Sequence, residues 1–210
     1  MIKSLIYSTL ACLLLYNSGC CNKKSISRRY YTIDISDRLS NLVLSNNNLI
    51  DRRCEIAKVD IEEAFASQKI ANRAQSHEIT YYRYNEWAHN PTDIITRILK
   101  QFVESQGVFS ETSTRFTAHA PEYRIETNIE HLEAVETKER LQAHIAVEFR
   151  LVELTNGLAL VIHHNDVKRD LADKDLNLFA ATISDILFEE MQHFSGKIKE
   201  IYQNKPSIFD

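Results

Sequence analysis

The chain has 210 residues, 44% hydrophobic and 26% charged, which is ordinary globular usage and enough for one domain or two small ones. A formal net charge of −4 with no basic block argues against a nucleic-acid binder. With only 4 glycines and 3 prolines, long regular elements are favoured over a loop-built or repeat protein.

Met1 and Lys3 make a short positive start, followed by an apolar run from Leu5 to Tyr16. That run is too short to span a bilayer, which needs about 20 apolar residues, and reads as a secretory signal peptide over residues 1–19. Asn17-Ser18-Gly19-Cys20 follows. The small residues before Cys20 resemble a lipobox, the motif at which bacterial lipoproteins are diacylated on cysteine and cleaved before it. Asn17 stands where the motif usually has leucine, and Cys21 is an alternative acceptor. A multiply acylated cysteine would hold the domain stably on a membrane. Residues 20–29 then form a lipidated cysteine and a polar tether containing Lys23, Lys24, Arg28 and Arg29. Beyond Cys20 and Cys21 the mature chain keeps Cys54, so no disulfide framework is expected, and Cys54 reads as a small buried residue.

A single domain is expected over residues 30–202, with a tail at 203–210. Tyr31, Ile33 and Ile35 alternate and predict a strand over 30–35. Ser45-Asn46-Asn47-Asn48 marks a loop. Further strands are expected over 55–64, around Ile56, Val59 and Ile61, and from Ile79 through Tyr81 and Tyr82 towards Trp87. The clearest helix follows: Asn90 caps it, Pro91 suits its first position, and Ile94, Ile95, Ile98, Leu99, Phe102 and Val103 form one apolar stripe. Gly107 sits where a left-handed terminating residue belongs, and Val108-Phe109 opens a short strand.

The second half reads as a meander. Tyr123, Ile125, Thr127 and Ile129 alternate, as do Ala143, Ile145, Val147, Phe149 and Leu151, with Glu148 and Arg150 facing away. Asn156-Gly157 predicts a two-residue hairpin turn with positive φ at both positions, returning through Leu158, Leu160 and Ile162. A long amphipathic helix is expected from about Asp173 to Phe194, with a continuation past Gly196. Strands, helix, strands, helix implies an α/β (α+β) fold: a two-layer sandwich, a mostly antiparallel sheet with two amphipathic helices on one face.

Catalytic motifs are absent. Gly107, Gly157 and Gly196 cannot build a phosphate loop, and neither a G-x-S-x-G elbow nor an H-E-x-x-H pair occurs. His163 and His164 are adjacent on an expected strand and point to opposite faces, so they cannot share an ion. His131 and His144 lie on different strands and meet only if the register allows, with no partner carboxylate evident at ligand spacing. Glu189 and Glu190 read as a solvated helix face. The expectation is no enzyme, no catalytic residue, no metal and no cofactor. Tyr81, Tyr82, Tyr84 and Trp87 offer a partner-binding edge, since tyrosine and tryptophan are enriched at interfaces; the alternative is that alternate members fill the core under the following helix.

The segment Tyr81-Tyr82-Arg83-Tyr84-Asn85-Glu86-Trp87-Ala88, then Pro91 with its helix, Gly107-Val108-Phe109 and Pro121-Glu122-Tyr123-Arg124-Ile125, resembles the auxiliary lipoproteins of ABC-type transport systems, the group that includes the paraquat-inducible C lipoprotein. The resemblance spans about Tyr30 to Phe194, with Pro-Glu at 121–122 where the family usually has Ala-Asp. It implies a non-catalytic helper of an Mce-linked lipid transport system. The implied partners are an Mce-domain protein and an ABC permease and ATPase, with a membrane through the lipid anchor and a homo-oligomer as further associations and no nucleic acid. Cys21 in place of Asp after the anchor leans towards the periplasmic face of the outer membrane, the inner membrane remaining open. The alternative function is direct binding of a lipid or glycolipid between helices and sheet, as in lipopolysaccharide-assembly lipoproteins.

Overall fold

The computed structural model describes residues 27–40, 49–75 and 77–203, so the signal segment, Cys20, Cys21, the asparagine loop at 46–48 and the tail beyond 203 lie outside the described residues. Nine strands form one mixed sheet: β1 Arg29–Tyr31, β2 Ile50–Ile56, β3 Asp60–Ile61, β4 Lys69–Gln75, β5 Glu78–Trp87, β6 Phe109–Ser113, β7 Tyr123–Glu136, β8 Leu141–Glu153 and β9 Leu158–Asp170. The described helices are α1 Ser36–Ser40, α2 Pro91–Gln106 and α3 Leu176–Gln203.

β7 organises the sheet. Along one edge it pairs antiparallel with β8 from Tyr123↔Glu153 to Glu136↔Leu141, and β8 pairs antiparallel with β9. At 14 residues, β7 extends roughly 47 Å, far longer than any single strand of the first half can cover. Its other edge is therefore shared, end to end and in parallel, by β2 at Tyr123–Ile125, β3 at Asn128–Ile129 and β4 at Glu133–Ala134. β6 extends the sheet beyond β2, and β5 then β1 extend it beyond β4. The long ladders are antiparallel, as the meander pattern implies; the parallel pairings are the short ones.

α2 forms as its sequence dictates. The Asn90 side chain accepts a hydrogen bond from Thr92 N at 2.9 Å and donates to Ala66 O at 3.0 Å, tying the helix start to the preceding turn. Gly107 closes it in the left-handed region at φ 57° and ψ 35°. α3 opens on Asp175, whose carboxylate accepts from Asn177 N at 2.8 Å, and runs through Gly196 without a break to Gln203. Helices and sheet close on Phe102, Phe149, Phe179 and Phe194, all fully buried, with Phe149 stacked on Phe194 at 5.3 Å between centroids. Each such side chain contributes roughly 2–3 kcal/mol of apolar burial.

Several expectations are revised. The strand over 30–35 stops at Tyr31: Ile33 and Ile35 are buried as the alternation implies, but this stretch packs on α3, where Asp34 N donates to Ser184 Oγ at 3.1 Å. Asp34 Oδ1 accepts from Ser36 N and caps α1, an element that too few apolar residues announce. The strand over 55–64 is cut in two by irregular backbone at 57–59. β4 has no alternation to reveal it, since Ile70 and Ala71 are neighbours and both buried. The β8–β9 connection is a four-residue loop, 154–157, in which Gly157 alone has positive φ, at 71°. Asn156 instead braces the loop by accepting from Leu158 N and donating to Glu153. A register shift between Leu151 and Val152 then leaves Leu158 and Ile162 more than half exposed, outside the core.

Candidate functional site

The tyrosine-rich strand β5 divides between surface and core. Tyr81 is 43% exposed, its hydroxyl donating to Ala64 O at 3.1 Å and its ring under the Lys69 ammonium at 5.6 Å. Tyr84 is half-buried beneath the Arg83 guanidinium, 5.3 Å from its centroid. Tyr82 leans on the core and donates to Glu136 Oε2 at 2.7 Å; burial, then that carboxylate, push its phenol up. Trp87 is 2% exposed and packs on Phe179, so it belongs to the core and not to a binding edge. The reason is a bulge: β4 pairs Ala71 with Tyr81 and Lys69 with Glu86, so β5 carries extra residues between these points and the simple alternation from Tyr81 to Trp87 is lost. β1 covers only Asn85–Trp87, leaving the edge of β5 beside Tyr81 and Tyr84 without a strand partner among the described residues.

A second bulge, in β7, creates a polar cluster on the sheet face opposite α2 and α3. Up to Ile129 the odd-numbered residues Tyr123, Ile125, Thr127 and Ile129 are buried towards the helices. The ladder then skips one residue, pairing Ile129 with Val147 but His131 with Ala146. From there Leu132 and Ala134 point to the helices, and His131 and Glu133 are thrown to the other face, where Glu133 lies directly across from His144. The register that the sequence left open thus brings His131 and His144 together, their rings stacked at 4.6 Å and 28°, with Phe65 edge-on to His131.

Glu133 is fully buried. Its Oε1 accepts from Arg73 Nε at 2.7 Å and lies 2.9 Å from His144 Nδ1, while His144 Nε2 lies 2.8 Å from Asp166 Oδ1 on β9. Burial pushes the Glu133 carboxyl up, but the hydrogen bonds and charges of His144 and Arg73 outweigh it and hold the group below the usual carboxylate range. Burial, then the neighbouring His144, push the His131 imidazole below its ordinary value. Glu133 Oε2 and His131 Nδ1 are both buried without a hydrogen-bond partner among the described residues.

A third group lies between sheet and helix. His163 Nε2 donates to Glu190 Oε2 at 2.6 Å, Asn165 Nδ2 donates to Glu190 Oε1 at 3.0 Å, and Lys197 Nζ is 3.0 Å from His163 Nδ1. Lysine only donates, so Nδ1 accepts and Nε2 carries the proton. His164 faces the opposite side, 3.7 Å from Glu130, as adjacent strand residues must. Glu190 is 3% exposed and is not part of a solvated face. It falls three or four residues from Ile186, Leu187 and Phe194, squarely on the apolar stripe, and that spacing was the signal in the sequence. Glu189 does face out and pairs with Arg169 at 2.7 Å. Cys54 is fully buried, and burial pushes its thiol up, leaving it unreactive.

Comparison with known proteins places this architecture. Protein XCC0632 from Xanthomonas campestris, a DUF330 protein, has a similar fold: TM-score 0.64 at 15% identity, covering 84% of this chain and 95% of that one. An uncharacterised protein of known structure is similar to the same degree, at TM-score 0.64 and 11% identity, covering 82% and 99%. Identities this low establish fold alone. No curated protein matches the chain in sequence. Among the described residues no helix is long and apolar enough to cross a membrane. The family model of the ABC-type transport auxiliary lipoprotein component matches residues 40–191, most of the chain, and to that family this chain belongs.

Proposed function

We propose that the chain is a non-catalytic, lipid-anchored docking subunit of an Mce-linked ABC-type lipid transport system, held at the periplasmic face of the outer membrane through Cys20. The observation that carries the transport role is the family match over residues 40–191. The lipobox-like Ser18-Gly19-Cys20 supports the anchor. The edge of β5 that no described strand covers, with exposed Tyr81 and half-buried Tyr84, is the surface offered to an Mce-domain or permease partner, because such an edge flanked by tyrosines suits protein contact.

The alternative of a lipid held between helices and sheet is less well supported. That interlayer space is filled by Phe102, Phe149, Phe179 and Phe194. A surface recess of about 600 Å³ beside Asp34, Asp37, Arg38 and Asp185 is as polar as it is apolar, unlike the mostly apolar pockets that hold acyl chains.

The test is crosslinking and affinity capture of the tagged full-length chain from its own membranes, with partners identified by mass spectrometry. Recovery of an Mce-domain protein with a permease and ATPase supports docking. Recovery of the chain alone, with copurifying lipid, refutes it in favour of direct lipid binding.

A further inference from the structure

We propose that His131, Glu133 and His144 form a site for one divalent transition-metal ion, of zinc type. It lies on the sheet face away from α2 and α3, one strand in from Tyr81, with Ala71 paired to both Glu133 and Tyr81, and does not depend on the docking role.

The donor set comes first. His131, Glu133 and His144 each offer one ligand atom, all within 4.8 Å of one another. Glu133 Oε1 lies 2.9 Å from His144 Nδ1 and 3.8 Å from His131 Nδ1. Two ligands of a tetrahedral zinc ion, each about 2.0–2.1 Å from it, are roughly 3.3 Å apart, so the Glu133 carboxylate stands close enough to both rings for small side-chain adjustments to place Oε2 on an ion. Two imidazoles and a carboxylate suit zinc or its neighbours, not the oxygen-seeking magnesium or calcium.

The uncommitted atoms come second. Glu133 has no exposed side-chain surface, yet Arg73 and His144 both address Oε1, and Oε2 has no hydrogen-bond partner among the described residues. His131 Nδ1 is buried and equally unpartnered. Buried polar atoms without partners are uncommon, and a cation bound between them satisfies both at once.

The supporting groups come third. A metal-bound histidine characteristically donates its other ring N–H to a carboxylate, which fixes its orientation and raises its basicity. His144 has that partner: with Nδ1 on the ion, Nε2–H donates to Asp166 Oδ1 at 2.8 Å. Arg73 Nε orients the Glu133 carboxylate in the same way at 2.7 Å. Binding replaces the His144–Glu133 hydrogen bond and releases to solvent any proton on the ligating nitrogens. Arg73 is cationic and lowers the affinity without blocking Oε2. His131 and Arg73 also line a surface cleft of about 400 Å³, with Glu62, Phe65 and Glu130, which brings solvent to the His131 ring. The other histidine–carboxylate group, His163, Glu190 and His193, lacks these features: both Glu190 oxygens are committed and the Lys197 ammonium sits 3.0 Å from His163.

The full-length chain in mild detergent, stripped with chelator, is titrated with Co²⁺ and read by visible absorption, then competed with Zn²⁺. One equivalent should bind with the bands of a tetrahedral N/O site, with Kd below ~100 µM, and Zn²⁺ should raise the unfolding midpoint. His131→Gln should weaken binding at least tenfold and abolish the midpoint shift. Asp166→Asn, which removes only a supporting group, should weaken it about 10–100-fold. His193→Gln should bind as wild type. Both His131 and Asp166 are at least partly solvent-exposed, so these variants should fold, and far-ultraviolet circular dichroism checks that. No saturable binding overturns the proposal. So does Co²⁺ binding that survives His131→Gln, that carries a thiolate charge-transfer band, or that is lost with His193→Gln.

Discussion

Glu190→Leu tests whether the His163–Glu190 network is a mutually satisfied pair. The substitution removes both acceptors at once: Oε2, which accepts from His163 Nε2–H at 2.6 Å, and Oε1, which accepts from the Asn165 amide at 3.0 Å. His163 is 7% exposed, so its N–H cannot turn to water, whereas half-buried Asn165 can. Stranding one buried donor, with the loss of a charge-assisted bond, costs about 2–4 kcal/mol. His163→Phe alone leaves the Glu190 carboxylate, 3% exposed, hydrogen-bonded by Asn165, with His193 3.7 Å away, and should cost about 3–5 kcal/mol. The double variant His163→Phe/Glu190→Leu removes both polar groups together. Its phenyl ring occupies a position already stacked on Phe149 at 8° between planes, and its leucine joins Leu187 and Met191 on the apolar stripe. The double variant should therefore lie within about 1 kcal/mol of the parent, a coupling of at least ~4 kcal/mol. Urea unfolding followed by far-ultraviolet circular dichroism and by fluorescence of Trp87, the single, buried tryptophan, measures all four proteins. Destabilisation of the double variant by the sum of the singles would refute the reasoning and leave Glu190 as a site of simple packing.

Gly107→Ala places a side chain at φ 57° and should lower stability by about 1–2 kcal/mol, read in the same urea titration; an unchanged midpoint would mean the helix ends otherwise. The hydrogen bond from Arg169 holds the Glu189 carboxyl below its ordinary value, so its contribution is complete above about pH 4.3 and is lost as pH falls through the lowered folded value. The pair is two-fifths exposed and screened, so Glu189→Gln should flatten the acid limb by only a few tenths of a kcal/mol. Tyr81→Ser/Tyr84→Ser should reduce recovery of a crosslinked partner at least tenfold while costing about 1 kcal/mol of stability; undiminished recovery moves the docking surface elsewhere. Cys20→Ser should abolish incorporation of a palmitate label and release the chain from membranes, whereas loss on Cys21→Ser alone would shift the anchor by one residue.

The sequence determined what local rules can determine. Asn90, Pro91 and Gly107 bounded a helix because capping and left-handed closure are properties of single residues. The alternation from Ala143 to Leu151 set the buried face of β8 because side chains in a strand repeat every two residues. Family resemblance, carried by packing residues around Tyr81 to Ala88, reached the same architecture. Tertiary structure decided everything that depends on a change of phase. One extra residue in β7 moved His131 and Glu133 across the sheet to His144 and Asp166, and a bulge in β5 sent Trp87 into the core while Tyr81 stayed outside. Short strands such as β4 acquire their place only because β7 is too long for one neighbour to cover. A bulge costs little in local preference and is therefore nearly silent in the sequence, but it inverts every side chain beyond it, so the polar cluster exists only once the ladders are in register.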